Sequence, residues 1–472
     1  MPRFALTTAS YAARGLIAGA QRQVNLYAEQ NPPDSPVPFT YYGTPGKTVW
    51  STIPGVGPVR CLHTAMTGVF FGVRGNKLYR YGTDWIELAT LATSAGPVVP
   101  ADNGIHAVFV DGTTTAPTVK LSDFTVGVMA GDGWYGAEFV SFIDGRFVFN
   151  KPGTQIFYWT GAYALTLDAL DFASAEGAPD KLVTLLVDHR EIWLMGERTT
   201  EKFYSSGASD SPFARLNGVF IEQGIMARYS AASINNAIAW LGANEQGGGI
   251  VWLSGGGDPQ RISTHAMEEE FRTYGALEDA FAFVCQQGGH TFYWLTFPSA
   301  GKTWVYDAAT NQWHERAYRD SLNHLTRDRA NCHAYYKGMN LVGDWQDGRV
   351  YKLDLDATTD DGAEIVRIKD FPHSVHADGF RMFYQRFRLD CEVAVGNATE
   401  ADPQVWLSWS DDGGHTWSST LTRSLGKTGD YRHRVEWRRL GSGYDRIWRF
   451  STTAKAKIAM QGAWVDAQPG AV

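Results

Sequence analysis

Three short stretches of this chain can be laid over one another: Gly75-Asn-Lys-Leu-Tyr-Arg-Tyr81, Asp144-Gly-Arg-Phe-Val-Phe-Asn150 and Asp347-Gly-Arg-Val-Tyr-Lys-Leu353. Each sets a turn dipeptide before a basic residue and an alternating apolar strand. In the first two copies an apolar strand also precedes the turn. That is a β-hairpin written in sequence, because such dipeptides supply the positive φ that a tight turn demands. Further strand pairs lie between them, among them Glu191-Ile-Trp-Leu-Met195 with Thr200-Glu-Lys-Phe-Tyr204 and Ala237-Ile-Ala-Trp-Leu241 with Gly249-Ile-Val-Trp-Leu253. Their starts recur every ~40–50 residues, the period of propeller blades.

From Cys61 to Asp370 there is room for six or seven blades, so the chain is expected to be all-β, with a β-propeller over 61–370. The run VYDAATNQW, Val305 to Trp313, resembles a kelch-type turn in which the aspartate holds the bend and the tryptophan packs between blades. Composition agrees: 50 glycines for turns and 17 Trp, 21 Tyr and 25 Phe for strands. One helix is expected between blades, Ser263 to Tyr274, with Met267, Phe271 and Tyr274 on one face and Ser263 or Thr264 as cap. Its Glu268, Glu269 and Glu270 point in different directions around the helix, which suits a solvated face better than a paired-carboxylate centre.

Beyond the acidic stretch Asp354 to Glu364, read as a linker, residues 375–472 alternate differently. Phe387, Leu389, Cys391, Val393 and Val395 form one wet-faced strand and four more follow, which predicts a C-terminal β-sandwich. At the other end, 1–60 is expected to be an extended arm, since four prolines crowd Val24 to Pro38 and each removes a donor.

Charge and cysteines narrow the function classes. With 42 Lys+Arg against 50 Asp+Glu the net charge is −8, the opposite of a protein built to grip phosphates. Cys61, Cys285, Cys332 and Cys391 are far apart and read as buried thiols in a reducing cytoplasm. No stretch reaches the ~18 apolar residues of a membrane span, and Arg14 interrupts the only signal-like patch.

Ser410-Asp-Asp-Gly-Gly-His-Thr-Trp417 fits S-x-D-x-G-x-T-W, the Asp box of sialidases and other carbohydrate-cleaving propellers. Ser410, Asp412, Gly414, Thr416 and Trp417 all carry turn chemistry, and one copy outside the blades predicts a structural hairpin. A sialidase would also need three arginines converging on a sugar carboxylate and an activated tyrosine. No motif points to them. His373 and His376 lack a third metal ligand, adjacent Cys332 and His333 face opposite ways in a strand, and no phosphate loop, nucleophile elbow or dinucleotide fingerprint occurs. No catalytic residue, cofactor or metal is assigned. The local positive concentration holds Arg434, Trp437, Arg438, Arg439, Arg446 and Trp448, interleaved with Asp430, Glu436 and Asp445. It reads as a subunit interface of Arg and Trp anchors rather than a phosphate track.

Three segments carry a family resemblance: VNLYAEQNPPDSPVPFTYYGTPG at 24–46, the run from Arg261 to Arg316, and RRLGSGYDRIWRFSTTAKAKIAMQGAWVDA at 438–467. They resemble the tail hub, or nozzle, proteins of short-tailed bacteriophages, also called packaged-DNA stabilisation proteins. The resemblance implies a structural virion protein of the phage tail and no enzyme. It implies a homohexameric ring below the portal and head-tail adaptor, assembled in the bacterial cytoplasm. That ring would dock tailspikes or fibres, meet a needle or plug, and pass double-stranded DNA without binding it tightly or inserting in a membrane. A carbohydrate-active, sialidase-like enzyme and a sugar-binding propeller remain the alternatives.

Overall fold

The computed structural model describes the backbone of residues 3–5 and all of residues 22–208, 211–244 and 246–470. Seven antiparallel sheets follow one another around a propeller, their inner strands being Val59–Thr64, Val99–Asp102, Val140–Ile143, Leu182–Asp188, Ala232–Ile234, Phe281–Gln287 and Ala330–Tyr336. The turns explain why the hairpins were readable. Asp144 and Gly145 take φ of 46° and 84°, and Lys337 and Gly338 take 47° and 80°. Both pairs have the two positive values of a mirror-image turn, whose twist matches that of the strands it joins.

Blades pack face to face through apolar side chains. The strand His290–Phe297 is buried along its whole length, because both of its faces meet a neighbouring sheet. Asp307 accepts from Ala309 N (2.9 Å) and Thr310 Oγ1 (2.9 Å), while Trp313 is buried against Tyr293 and Tyr306 and donates to Ile262 O at 2.8 Å. The kelch-like reading of that run is therefore met in detail. The helix is shorter than expected, His265–Phe271, capped by Thr264 and pinned by buried Met267 and Phe271. Its three glutamates are engaged separately: Glu268 by Arg261, Glu269 by Arg272 and Glu270 by the Tyr274 hydroxyl.

The expected arm at 1–60 is, from Gln23 to Thr52, woven into three sheets. Gln23–Val24 lies between the outer strand of the sixth blade, Gln312–Arg319, and Arg367–Asp370, so one sheet of 11 strands runs from that blade into the C-terminal unit. Leu26–Gln30 and Phe39–Gly43 form a hairpin that pairs with the last strand, Ala459–Pro469. Gly46–Thr52 is the outer strand of the seventh blade, beside Arg349–Asp354. The prolines that suggested an arm, Pro32, Pro33, Pro36 and Pro38, sit in the loop between two of these strands, and the flanking residues keep their donors for pairing.

The C-terminal unit is a sandwich. Ala459–Pro469 and Met382–Cys391 head one sheet, and Asp445–Thr452 with Gln404–Ser410 head the other. Its core joins Phe387, Trp437, Trp448 and Phe450 to Leu26, Ala28 and Tyr41 from the N-terminal hairpin. Residues Asp354 to Glu364, read as a linker, carry two short strands, and Asp360 pairs with Lys47.

Candidate functional site

The Asp box forms the hairpin between Gln404–Ser410 and Leu421–Ser424. Asp412 accepts from Thr416 N (2.9 Å), Thr416 Oγ1 (2.6 Å) and Ser410 Oγ (2.6 Å), and Gly414 N donates to Ser410 Oγ at 2.8 Å. The Ser410 and Thr416 bonds hold the Asp412 carboxyl far below the usual carboxylate range. Both oxygens are occupied within the turn. Trp417 lies 3.6 Å beneath the guanidinium of Arg449, which in turn grips Asp370 at 2.6 and 2.8 Å. The hairpin is thereby tied to the start of the sandwich.

The arginine segment divides. Trp437, Trp448 and Arg446 are buried in the sandwich, at 1 %, 0 % and 1 % exposure, so the reading of these three as interface anchors needs correcting. Arg446 donates to Asp411 (2.5 and 2.7 Å) and to Leu440 O, with Tyr384, Trp409 and Trp448 around its guanidinium. Trp437 Nε1 donates to Leu421 O at 2.8 Å. The sequence shows Arg and Trp in company but not which face they occupy. Exposed residues of the set are Arg434, Arg438 and Arg439, which remain the candidate contact for a neighbouring subunit. The acidic residues are engaged nearby: Glu436 with Arg386 and Arg438, Asp430 with His433 and Asp445 with His373. His373 and His376 thus meet different aspartates, Asp445 and Asp378. Cys332 and His333 do not act on one another either. Burial pushes the Cys332 thiol up to about 12, and His333 stacks on Phe283 with Nε2 on Asn340.

No sequence motif announced the largest concavity. The starting ends of the inner strands enclose a cavity of ≈ 830 Å³, lined by Leu62, Val140, Leu185 and Phe283 among others. Three arginines line it: Arg60, Arg228 and Arg327. They do not converge as free cations. Arg60 spends its guanidinium on the carbonyls of Gly75, Thr93, Ala95 and Gly96 and on Thr93 Oγ1. Arg228 pairs with Glu138. Arg327 lies 4.3 Å from the Trp345 ring centre, and burial lowers its pKa to about 10. Tyr229, in the same lining, is pushed by burial up to about 12, away from the range of an activated phenol.

The sequence model described as "Bacteriophage P22 Gp10, beta-propeller" matches residues 21–358, and the one described as "Bacteriophage P22 Gp10, beta-sandwich" matches 371–468. The chain belongs to the bacteriophage P22 Gp10 family. Membership makes it a phage structural protein, a component of the tail of the virion, of a family associated with stabilising packaged DNA. The two P22 Gp10 matches meet in the stretch where the seventh blade gives way to the sandwich.

No curated protein matches the chain. Among solved structures, the chain resembles the WD40 β-propeller domain of Doa1 at 12% identity, covering 65% of this chain and 97% of that one, with a TM-score of 0.39. It also resembles the N-terminal domain of Nup159 at 8% identity, covering 70% and 98%, with a TM-score of 0.40. Within this P22 Gp10 chain, the site residues that sequence reasoning missed are those of the propeller mouth. Arg327, Asp279 and Trp345 are drawn from separate loops and strands, and nothing in their local sequence links them.

Proposed function

We propose that this chain is the tail hub subunit: a member of a homohexameric ring below the portal and adaptor that retains the packaged genome, docks tailspikes or fibres and lets DNA pass at infection. The observation that carries this reading is the pair of family matches, which together span the propeller and the sandwich. The fold suits the task. A ring under internal pressure needs subunits whose halves do not hinge, and here one sheet crosses from the sixth blade into the sandwich through Gln23–Val24. The propeller's own channel is not the conduit, because ≈ 830 Å³ is the size of a small-molecule pocket and cannot hold a duplex. DNA would run along the axis of the ring, between subunits and onto a needle or plug. The subunit acts by shape and assembly rather than by catalysis: the Asp box is bonded within its own turn and two of the three channel arginines are already engaged.

Mixing the purified chain with a portal and adaptor complex and weighing the product by native mass spectrometry tests this. The expected product carries six added subunits, and failure to join the connector would refute the ring.

A further inference from the structure

The mouth of the propeller holds polar groups that the structural role leaves unused. Arg327, at 9 % exposure, makes no hydrogen bond and no ion pair among the described residues. Its guanidinium is held between the rings of Trp345 at 4.3 Å and Phe281 at 6.0 Å. A buried cation without a partner is costly, and a bidentate anion is what a guanidinium satisfies best. Asp279, also in the lining, is oriented by Ser299, whose N and Oγ donate to its Oδ2 at 2.8 and 2.5 Å. Its Oδ1 is buried and receives no donor. Asp279 heads the carboxylates whose charge acts on Arg327. Glu278 stands beside it, accepting from Leu277 N at 3.1 Å.

We propose that this mouth binds a small hydroxylated organic anion, with its acidic group on Arg327 and one of its hydroxyls donating to Asp279. Each part of the ligand is set by a feature of the wall. The unpaired guanidinium asks for a carboxylate or phosphate. The orphan acceptor, with Glu278 adjacent, repels a bare anion and favours one whose other end carries O–H donors. Apolar walls at Phe281, Pro298 and Val98 favour an organic body over an inorganic ion. The cavity volume of ≈ 830 Å³ falls within the range of small-ligand sites. Sugar acids and sugar phosphates share this chemistry. The inference does not depend on the ring.

Saturation-transfer NMR on the intact chain, with glucuronic acid, glucose 6-phosphate, glucose and inorganic phosphate as separate probes, tests it and tells the two sources apart. At least one of the two acids binds, about tenfold or more tighter than glucose or phosphate. Arg327→Gln abolishes that signal, while Asp279→Asn weakens the sugar acid and strengthens inorganic phosphate. Circular dichroism melting confirms that each variant is folded, and if Arg327→Gln is not, the four-probe comparison on the unaltered chain decides. Silence from both acids, equal binding of glucose or of phosphate, or unchanged binding by folded Arg327→Gln would each overturn the proposal.

Discussion

Lys47 Nζ lies 2.8 Å from Asp328 Oδ2, with both side chains 1 % exposed and 281 positions apart in sequence. Asp360 shares the ammonium at 3.3 Å, and Arg316 stands 3.5 Å from Asp328. The pair locks the N-terminal strand of the seventh blade to the chain that enters that blade. Lys47→Met leaves two buried carboxylates with one cation fewer and is expected to cost about 3–5 kcal/mol. Urea unfolding should show a lower midpoint with an unchanged slope.

The same cluster sets a limit in acid. Burial opposes ionisation of Asp328, but Lys47 and Arg316 outweigh it and hold its pKa near 2, below the ordinary 3.8. A depressed carboxylate contributes stability that is full above its unfolded pKa and is lost as pH falls through the folded one. Melting temperature should therefore drop between pH ~4 and ~2, and the drop should be smaller in Asp328→Asn, measured from its own lower starting point.

Lys369 behaves in the opposite sense at the other end of the scale. It is fully buried, donates to Gln23 Oε1 at 2.8 Å, and burial lowers its pKa to about 7 from 10.5. Between those values the unfolded chain holds the extra proton, so this group makes folding more favourable as pH rises from about 7 towards 10.5. Subtracting the pH–stability curve of Lys369→Met from that of the unaltered chain should leave this rise. A flat difference would show that the ammonium stays charged inside.

Deleting residues 1–45 should not free an appendage but open the sandwich. Leu26, Ala28 and Tyr41 leave its core, and the sixth blade loses its bridge. The expected result is loss of the sandwich's cooperative melting and early proteolysis after residue 358, read by mass spectrometry of the fragments.

Free duplex DNA should not bind measurably near physiological salt, where non-specific binders reach roughly 10⁻⁴–10⁻⁶ M. The −8 net charge works against phosphate contacts, and the acidic residues beside the exposed arginines are already paired with them or their neighbours. Salt-sensitive micromolar anisotropy would show that Arg434, Arg438 and Arg439 form a DNA grip.

The blades were legible because each hairpin states its own turn: Asp144-Gly145 specifies both strands that flank it, and Tyr306 to Trp313 carries its packing partner a few residues on. What was not legible depends on distant partners. Gln23–Val24 is a strand only because Gln312–Arg319 and Arg367–Asp370 present edges to it. Arg446 is a core residue because Asp411, in another hairpin, neutralises it inside the sandwich. Composition alone makes that same arginine look like an exposed anchor. Arg327 had no signal at all, since its neighbours come from loops that only ring closure brings together.

The N-terminal strand that closes the seventh blade also sets a timetable for biosynthesis. Gly46–Thr52 leaves the ribosome early, yet its partner Arg349–Asp354 is made only after six blades have emerged, and the hairpin at Leu26–Gln30 waits for the final strand, Ala459–Pro469. At roughly 5–20 residues per second that delay is tens of seconds, during which several apolar strand edges stand open to the cytoplasm. A nascent chain of this design cannot mature halfway. An unfinished polypeptide presents neither a closed propeller nor a sandwich, so only full-length molecules are fit to be recruited into a particle.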